Sequence, residues 1–426
     1  MLFILVDALR ADHLGVYGYP HKITPNIDKL AERSLFYTNA YSNATWTVPS
    51  VASLFTGTLP VVHRISRPPG KRNAFSVLAD DYILPSEVFK SNGYVTGMIT
   101  AIGWVSKTAN YAQGVDEFIR SPRNDLVLSG QARDFITKHR NERFHLYLHL
   151  IDLHDYYHPD KIFSAGSEGR IDASSNLLAL KSLDAEESYR ILKNDLGRPG
   201  KLSPRDIDFL QAAYDRGLRV TDGIVGLLVR HLAAEGLLED TLIVITGDHG
   251  EQFMEHGSLM HAGESFYNDV LHIPLIISDR GRFERRHVIT APVSSIDIYP
   301  SLFHLAGIRK PDLLQGESIV DDGQADRAVF ATSGVTWKVI TKRWSYIVGR
   351  SSGREELYDL RVDPGEKHDL SELAAYEQVR AAMRGRLQDE MRKCFAHAYL
   401  SLVKNPPAVE MTDEERAVLK SLGYIH

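Results

Sequence analysis

Three short stretches of the chain carry side chains suited to nucleophilic or metal chemistry. The first is residues 44–57, a polar loop followed by an apolar run that ends at Gly57. This pattern predicts a loop that enters a short helix, with Thr47 near the helix N-terminus. A hydroxyl there faces free backbone N–H groups and the positive end of the helix dipole, which suits an attacking alkoxide and a tetrahedral oxyanion such as phosphate or sulfate. A Thr ahead of a helix is more often only an N-cap, so this stretch alone leaves both interpretations open.

The other two stretches are apolar runs that end in acidic residues. Residues 2–6 lead to Asp7, and residues 242–247 lead to Asp248 and His249. Short apolar runs rich in branched side chains predict buried central strands of a parallel sheet. Side chains at the carboxyl ends of such strands lie in the crevice where open α/β sheets bind ligands. This location suits Asp7 as a metal ligand, although an Asp at a strand end also commonly caps the next turn.

Together with further motifs, these stretches give the chain a resemblance to the sulfatase-like branch of the alkaline phosphatase superfamily. The resemblance implies a three-layer α/β sandwich with a central, mostly parallel sheet and a small C-terminal α/β subdomain. The predicted boundaries are residues 1–322 for the catalytic domain and 323–426 for the subdomain with a small antiparallel sheet and helices. The matching segments are residues 2–7, 24–31, 44–57, 248–251, 273–277, 291–297, 356–360, 363–366 and 419–424.

The resemblance implies a divalent metal ion held by Asp7, Thr47, Asp248 and His249. The imidazole in this ligand set favours Zn²⁺ or Mn²⁺, with Mg²⁺ and Ca²⁺ as further candidates. Many sulfatases carry a second acid directly after the first, where this chain has Ala8. True sulfatases more often have Asn at the position of His249 and hold Ca²⁺, so both departures favour a softer ion.

The nucleophile position also departs from the sulfatase pattern. In true sulfatases it is a Cys or Ser that matures to formylglycine, and an Arg follows four residues later. Here these positions are Thr47 and Val51. Because Thr cannot be converted to the aldehyde, we expect a direct Thr47 nucleophile, as in the phosphodiesterase and phospho-group transferase relatives of the superfamily.

The segment after a predicted strand at residues 144–151 contains further candidate residues. Asp152 and His154 resemble the family's Asp-x-His turn, in which the His contacts the leaving group or the transferred oxyanion. His154 can donate to a bridging oxygen near neutral pH, and Asp152 could orient its ring or help to bind a second metal. His145 and His149 alternate with apolar residues within the strand, and we interpret both as packed strand histidines.

Three other polar residues are candidates for contact with the substrate. His261 matches the family's Lys or His that touches the bound oxyanion, so we assign it with Thr47 and His154 to catalysis. His256 lies in the same glycine-rich loop, and a role in substrate binding is balanced by a loop role without function. Arg10 could bind the substrate anion or only anchor the first loop.

Composition restricts the partners and the location. The 426 residues suggest a large α/β domain with a smaller companion, and the formal net charge of -6 comes without a basic stripe for nucleic acid. The expected partner is a small anionic ester substrate, including one carried on a glycan, and no feature indicates an oligomeric state.

The single Cys394 excludes an internal disulfide. No apolar run approaches the roughly 20 residues of a membrane span, and no export leader follows Met1. We therefore expect a cytoplasmic protein, unless a start codon placed too far downstream has removed a leader.

The main functional prediction is a metal-dependent hydrolase that cleaves or transfers a phosphodiester or phosphonate-type group through Thr47. Three alternatives stay open. The first is a sulfuric ester hydrolase that works without formylglycine, and the second is a transferase that moves a phospho-alcohol group onto a glycan. The third is an inactive binding module.

Overall fold

The computed structural model describes residues 1–66, 74–164, 175–261, 265–323, 326–349, 352–400 and 408–410. In these ranges the strands are β1 (Leu2–Val6), β2 (Ser34–Tyr41), β3 (Ala74–Ser76), β4 (Val95–Thr100), β5 (Glu117–Arg120), β6 (Phe144–Leu150), β7 (Ile243–Gly247), β8 (His272–Ser278), β9 (His287–Ile289), β10 (Val293–Ser294), β11 (Val329–Thr332), β12 (Thr336–Ile340), β13 (Trp344–Gly349), β14 (Glu355–Asp359) and β15 (Ala408–Glu410). The helices are α1 (Pro25–Leu30), α2 (Thr47–Thr56), α3 (Pro60–His63), α4 (Pro85–Ser91), α5 (Asp125–Lys138), α6 (Pro159–Ser164), α7 (Ser175–Leu178), α8 (Ala185–Ile191), α9 (Pro204–Ala234), α10 (Asn268–Leu271), α11 (Ile298–Leu305) and α12 (Glu377–Leu400).

A large mixed sheet forms the centre of the fold. Among the described residues it has nine strands in the order β10-β2-β8-β7-β1-β6-β4-β5, with β9 also paired to β2. Strand β1 pairs in parallel with β6 on one side and β7 on the other, whereas β8 runs antiparallel to both β7 and β2. All residues of β1, β6 and β7 are buried, because flanking elements cover both faces of the sheet. The mostly parallel sheet confirms the predicted fold class.

Helix α2 lies in the core, and every one of its residues is buried. It begins at Thr47 directly after the extended Trp46 and ends at Gly57, whose φ of 61° is the left-handed conformation that a Gly adopts easily. The helix packs against α11 and α3. The sequence prediction of a short helix with Thr47 at its N-terminus is therefore correct.

The C-terminal part forms a second, smaller sheet. Strands β11 to β14 pair antiparallel in sequence order, and α12 packs on β12 and β13. Its core contains Trp337, Leu357 and Met383, and it includes Leu59 and Val62 from the region around α3. The small sheet thus packs directly on the segment that follows the Thr47 helix, and its strands fall within the predicted subdomain.

Several predicted boundaries differ from the structure or lie outside the described residues. The sequence pattern predicts two helices in the C-terminal part, at about residues 371–396 and 412–422, and the first of them begins at Glu377, after a 3₁₀ turn at Ala374–Tyr376. The motif at residues 419–424 and a helix expected at 412–422 lie outside the described residues. Within the described part of the chain, no helix combines the length and apolar character of a membrane span.

Candidate active site

The ends of three neighbouring strands bring three polar side chains together. In the parallel register, Leu5 of β1 lies opposite His149 of β6, and Val6 lies opposite Gly247 of β7. Asp7 follows β1 and Asp248 follows β7, so both carboxylates and the His149 ring lie at the same edge of the sheet. One potential ligand atom from each of Asp7, His149 and Asp248 lies within 4.8 Å of the other two.

His249 completes this cluster with a defined orientation of its ring. Its Nε2 lies 3.4 Å from Asp248 Oδ2 and 3.6 Å from Asp7 Oδ1. Its Nδ1 lies 2.8 Å from the carbonyl oxygen of Gly250, which can only accept a hydrogen bond. The proton of the neutral ring is therefore on Nδ1, and the Nε2 lone pair faces the two carboxylates.

The unpaired atoms of this cluster fit a divalent cation. Asp7 Oδ1, Asp248 Oδ2 and His149 Nε2 are buried and have no hydrogen-bond partner among the described residues. Burial and the Asp248 carboxylate raise the pKa of Asp7 well above its usual value, because two negative charges are confined away from water. Two carboxylate oxygens and two imidazole nitrogens match the ligand preferences of Zn²⁺ or Mn²⁺.

Asp248 is held in place by backbone donors. Its Oδ1 accepts hydrogen bonds from the backbone N–H groups of Ala8 and His249, at 3.1 and 2.9 Å. Ala8 has a φ of 58°, which turns the chain sharply after Asp7. The other carboxylate oxygen of Asp248, Oδ2, stays unpaired and faces the cluster.

Thr47 lies beside the same cluster. Its Oγ1 is 3.3 Å from His249 Nε2, and the residue is 1% exposed. As the first residue of α2, it lies at the end of the helix where backbone N–H groups have no intrahelical acceptor. The structure therefore brings together the four residues predicted to bind the metal.

Two further histidines extend the cluster away from Thr47. The His261 ring centroid lies 4.2 Å from that of His249 and 4.9 Å from that of His154. Nδ1 of His261 is 3.2 Å from a Glu251 carboxylate oxygen, and Nδ1 of His154 is 3.4 Å from Asp155 Oδ1. Burial lowers the pKa of His154 to about 4 and raises that of Glu251 to about 7. Both predicted catalytic histidines thus lie next to the metal cluster.

The structure gives Asp152 and Arg10 other partners. Asp152 Oδ2 accepts from the backbone N–H of Asp125 at 3.0 Å, and its Oδ1 lies 3.3 Å from Lys161 Nζ. The guanidinium of Arg10 donates four hydrogen bonds: two to the Asp12 carboxylate, through Nε and Nη2, and one each to the Glu255 carboxylate and the Glu251 carbonyl, through Nη1. Arg10 therefore anchors the first loop to the loop after His249, in agreement with the weaker of its two predicted roles.

His256 lies in a structural contact between the two sheets. Its Nδ1 is 3.0 Å from Asp269 Oδ2, its Nε2 is 3.1 Å from the Glu366 carbonyl oxygen, and its ring stacks on Tyr267. Both ring nitrogens are thus occupied by protein groups. This arrangement favours the loop role over the predicted contact with substrate.

Two strand histidines were interpreted alike, but they have different surroundings. His145 is a packed strand residue, as predicted, because its ring stacks on Phe89 at 4.3 Å. His149 is also buried in the strand, but its Nε2 lies 4.0 Å from Asp7 Oδ2, so it is in addition a candidate metal ligand with Asp7 and Asp248. The signal was the strand itself, since His149 stands one residue before the end of a strand that pairs with β1. Asp155 and Arg123, which lie beside His154, were not singled out.

The family model described as Sulfatase matches residues 1–308 of the chain. A second model, described as N-sulphoglucosamine sulphohydrolase, C-terminal, matches residues 255–393. The ulvan-active sulfatase of Formosa agariphila is 25% identical over 450 residues, which cover 92% of this chain and 80% of that protein.

Solved structures of similar fold include sulfatases and phosphonate hydrolases. A 2-O GAG sulfatase superposes with a TM-score of 0.76 at 19% identity, covering 92% of each chain. A protein in complex with its substrate D-glucosamine-2-N,6-O-disulfate has a TM-score of 0.70 at 18% identity, covering 93% of this chain and 98% of the other. The phosphonate monoester hydrolase of Agrobacterium radiobacter has a TM-score of 0.69 at 18% identity, covering 92% and 95%. The chain therefore belongs to the sulfatase family, within the alkaline phosphatase superfamily, and is a hydrolase of sulfuric or phosphoric ester bonds.

Proposed function

We propose that the enzyme uses the Thr47 hydroxyl as its nucleophile against a phosphodiester or phosphonate-type ester. The observation that carries this proposal is the position of Thr47 Oγ1, 3.3 Å from His249 Nε2 and beside the unpaired carboxylate oxygens of Asp7 and Asp248. These residues, with His149, would hold the divalent metal ion. When bound, the ion would lower the pKa of the Thr47 hydroxyl and neutralise charge on the ester.

The side chains of the site supply the rest of the chemistry. Thr47 Oγ1 forms a bond to phosphorus as the bond to the leaving oxygen breaks, and the departing alcohol takes up the proton that the hydroxyl gives up. Asp155 and Glu251 orient the rings of His154 and His261 through Nδ1, so that the other ring nitrogen faces the ester and, once the ring is protonated, donates to the ester oxygens. Water then attacks phosphorus in the Thr47 adduct, the bond from Oγ1 to phosphorus breaks, and a phosphate monoester or a phosphonate is released with free Thr47.

A sulfuric ester is the second candidate substrate, and similarity to known proteins favours it at least as strongly. The family model and the Formosa agariphila relative both carry the sulfatase name. A sulfate ester presents the same tetrahedral oxyanion to the site, so Thr47 would attack sulfur in the same position. What argues for the phosphorus ester is Thr47 itself, since this residue cannot become formylglycine.

A cavity lined by residues on both sides of Thr47 in the chain suits the alcohol part of the substrate. It has a volume of 470 Å³ and is lined by Trp46 and Pro49 from the Thr47 segment, by Arg64, and by Thr332 and Val335 from the small sheet. An aromatic face with nearby hydroxyl and guanidinium groups is suited to a sugar ring that carries an anionic ester. The sugar substrate in one structural neighbour supports the proposal of a glycan ester.

Parallel assays separate the ester classes. The purified enzyme with Zn²⁺ or Mn²⁺ is given an aryl phosphate monoester, an aryl phosphate diester, an aryl phosphonate and an aryl sulfate. We expect the highest kcat/KM on the diester or phosphonate. Turnover of the sulfate alone would overturn the phosphorus assignment and establish the sulfatase alternative. Added acceptor alcohols, with product analysis, distinguish transfer from hydrolysis.

A further inference from the structure

Arg123 reaches the same cluster from a segment that the proposed mechanism has not used. It lies in the turn between β5 and α5, and its Nη2 donates to Asp155 Oδ1. Asp155 in turn contacts Nδ1 of His154 at 3.4 Å. The His154 ring contacts the His261 ring, which contacts the His249 ring. Arg123 therefore belongs to the same connected group of side chains as His154, His261 and His249.

Two of the Arg123 donors have no acceptor. Its Nε and Nη1 are buried, and no hydrogen-bond partner lies within reach among the described residues. The whole side chain is only 13% exposed, so bulk water does not solvate these groups freely. Leaving buried guanidinium N–H groups unpaired is costly, and an oxyanion supplies the acceptors that they lack. The planar fork of the guanidinium matches two oxygens of a phosphate or sulfate group.

Other cations near the site are less suited to this task. Helix α2, which carries Thr47, contains no Lys or Arg. Arg10 is occupied by Asp12 and Glu255, and Lys193 donates to the Tyr189 hydroxyl at 2.8 Å.

We propose that Arg123 binds the non-bridging oxygens of the ester, and of the acid anion released from it, through Nε and Nη1. Its Nη2 keeps the hydrogen bond to Asp155 Oδ1, and this bond fixes the orientation of the guanidinium plane. This inference rests on the proposed function, because the anion is the group that Thr47 attacks. Arg123 is then a substrate-binding residue that contributes the positive charge missing from the Thr47 helix.

A simpler role for Arg123 is to neutralise Asp155 and so to position His154. The two roles predict different results in a His154→Gln background. If Arg123 acts only through Asp155 and His154, Arg123→Gln does not weaken anion binding further once the His154 imidazole is gone. If Arg123 contacts the anion, Arg123→Gln weakens anion binding in that background as well.

The test is titration calorimetry of the metal-loaded protein with inorganic phosphate and with sulfate. We expect Arg123→Gln to weaken binding of the preferred anion by about tenfold to a hundredfold, as for the loss of charge-assisted hydrogen bonds. Arg123→Lys should lie between this variant and the wild type, because it keeps the charge and loses the fork. Arg133→Gln, on the exposed face of α5, changes the net charge equally and should leave binding unchanged. Thermal unfolding checks that each variant is folded.

The outcomes separate this inference from the proposed function. Equal anion affinity in the wild type and Arg123→Gln, or no measurable binding in either, would overturn the role of Arg123. No further loss from Arg123→Gln in the His154→Gln background would assign Arg123 to positioning alone and would also overturn it. Thr47→Ala is expected to retain anion binding that depends on Arg123. If Thr47 is not the nucleophile, the measured effect of Arg123 on anion binding is therefore unchanged. If Arg123 does not bind the anion, the Thr47 mechanism is likewise unaffected.

Discussion

Lys338 Nζ lies 2.6 Å from Glu366 Oε1, and both side chains are completely buried. Lys338 belongs to β12 of the small sheet and also donates to the Asn268 side chain at 2.8 Å, while the other Glu366 oxygen accepts from the Asn268 backbone N–H. Asn268 begins α10, whose Asp269 and Val270 carbonyl oxygens accept from Glu251 and Gly250. The ion pair of the C-terminal sheet thus holds the loop that follows His249.

Lys338→Met should therefore destabilise the whole protein. It leaves the Glu366 charge buried without its partner, which costs about 3–5 kcal/mol in comparable cases. Denaturant unfolding with metal present measures the loss. The double variant Lys338→Met/Glu366→Gln removes both charges and should recover part of the stability. A change below about 1 kcal/mol in the single variant would show that the ion pair does not hold the two sheets together.

Removal of metal should lower the thermal stability of the enzyme. A ligand that binds only the folded state stabilises it by about 2.7 kcal/mol when its free concentration is 100 times Kd. We expect EDTA to lower Tm and Zn²⁺ or Mn²⁺ to restore it.

His149 should contribute to this metal response, whereas His145 in the same strand should not. His149→Gln is expected to reduce the metal-dependent rise in Tm, because it removes one nitrogen ligand of the cluster. His145→Gln is the matched control, since its ring only packs on Phe89. If both variants show the wild-type metal response, His149 is only a packed strand residue.

Trp46→Ala should affect large substrates more than small ones. Trp46 lines the cavity beside Thr47, so its loss removes contact area for the alcohol part of a glycan ester. We expect kcat/KM to fall about three- to tenfold for a sugar ester, mainly through KM, and to change less for a small aryl ester. Equal losses on both substrates would show that Trp46 instead positions Thr47.

Much of this architecture follows from local sequence patterns. The apolar runs before Asp7 and Asp248 predicted two central strands, and the parallel sheet then required their polar ends to lie at one edge. Residues 328–332, 336–341 and 343–348 alternate like antiparallel strands, and β11, β12 and β13 occur within one or two residues of these bounds. These features depend on side-chain period and strand direction, which the sequence carries directly.

The remaining errors concern which of several similar residues faces the site. His145 and His149 have the same spacing pattern, and only the pairing of β6 with β1 distinguishes a packed ring from a metal ligand. Asp152 and Asp155 lie in one turn, yet Asp152 pairs with Lys161 while Asp155 contacts His154. Arg123 comes from a segment distant in sequence, so no local pattern places it beside His154.

The nucleophilic role of Thr47 is the central claim, and mass spectrometry after brief incubation tests it most directly. The wild type, Thr47→Ser and Thr47→Ala are incubated with the preferred aryl ester in Zn²⁺ or Mn²⁺, quenched and digested. The account predicts an adduct on Thr47 in the wild type, none in Thr47→Ala, and a fall in turnover of about a thousandfold or more in Thr47→Ala. Turnover by Thr47→Ala at the wild-type rate, with no adduct on the wild-type enzyme, would contradict the account.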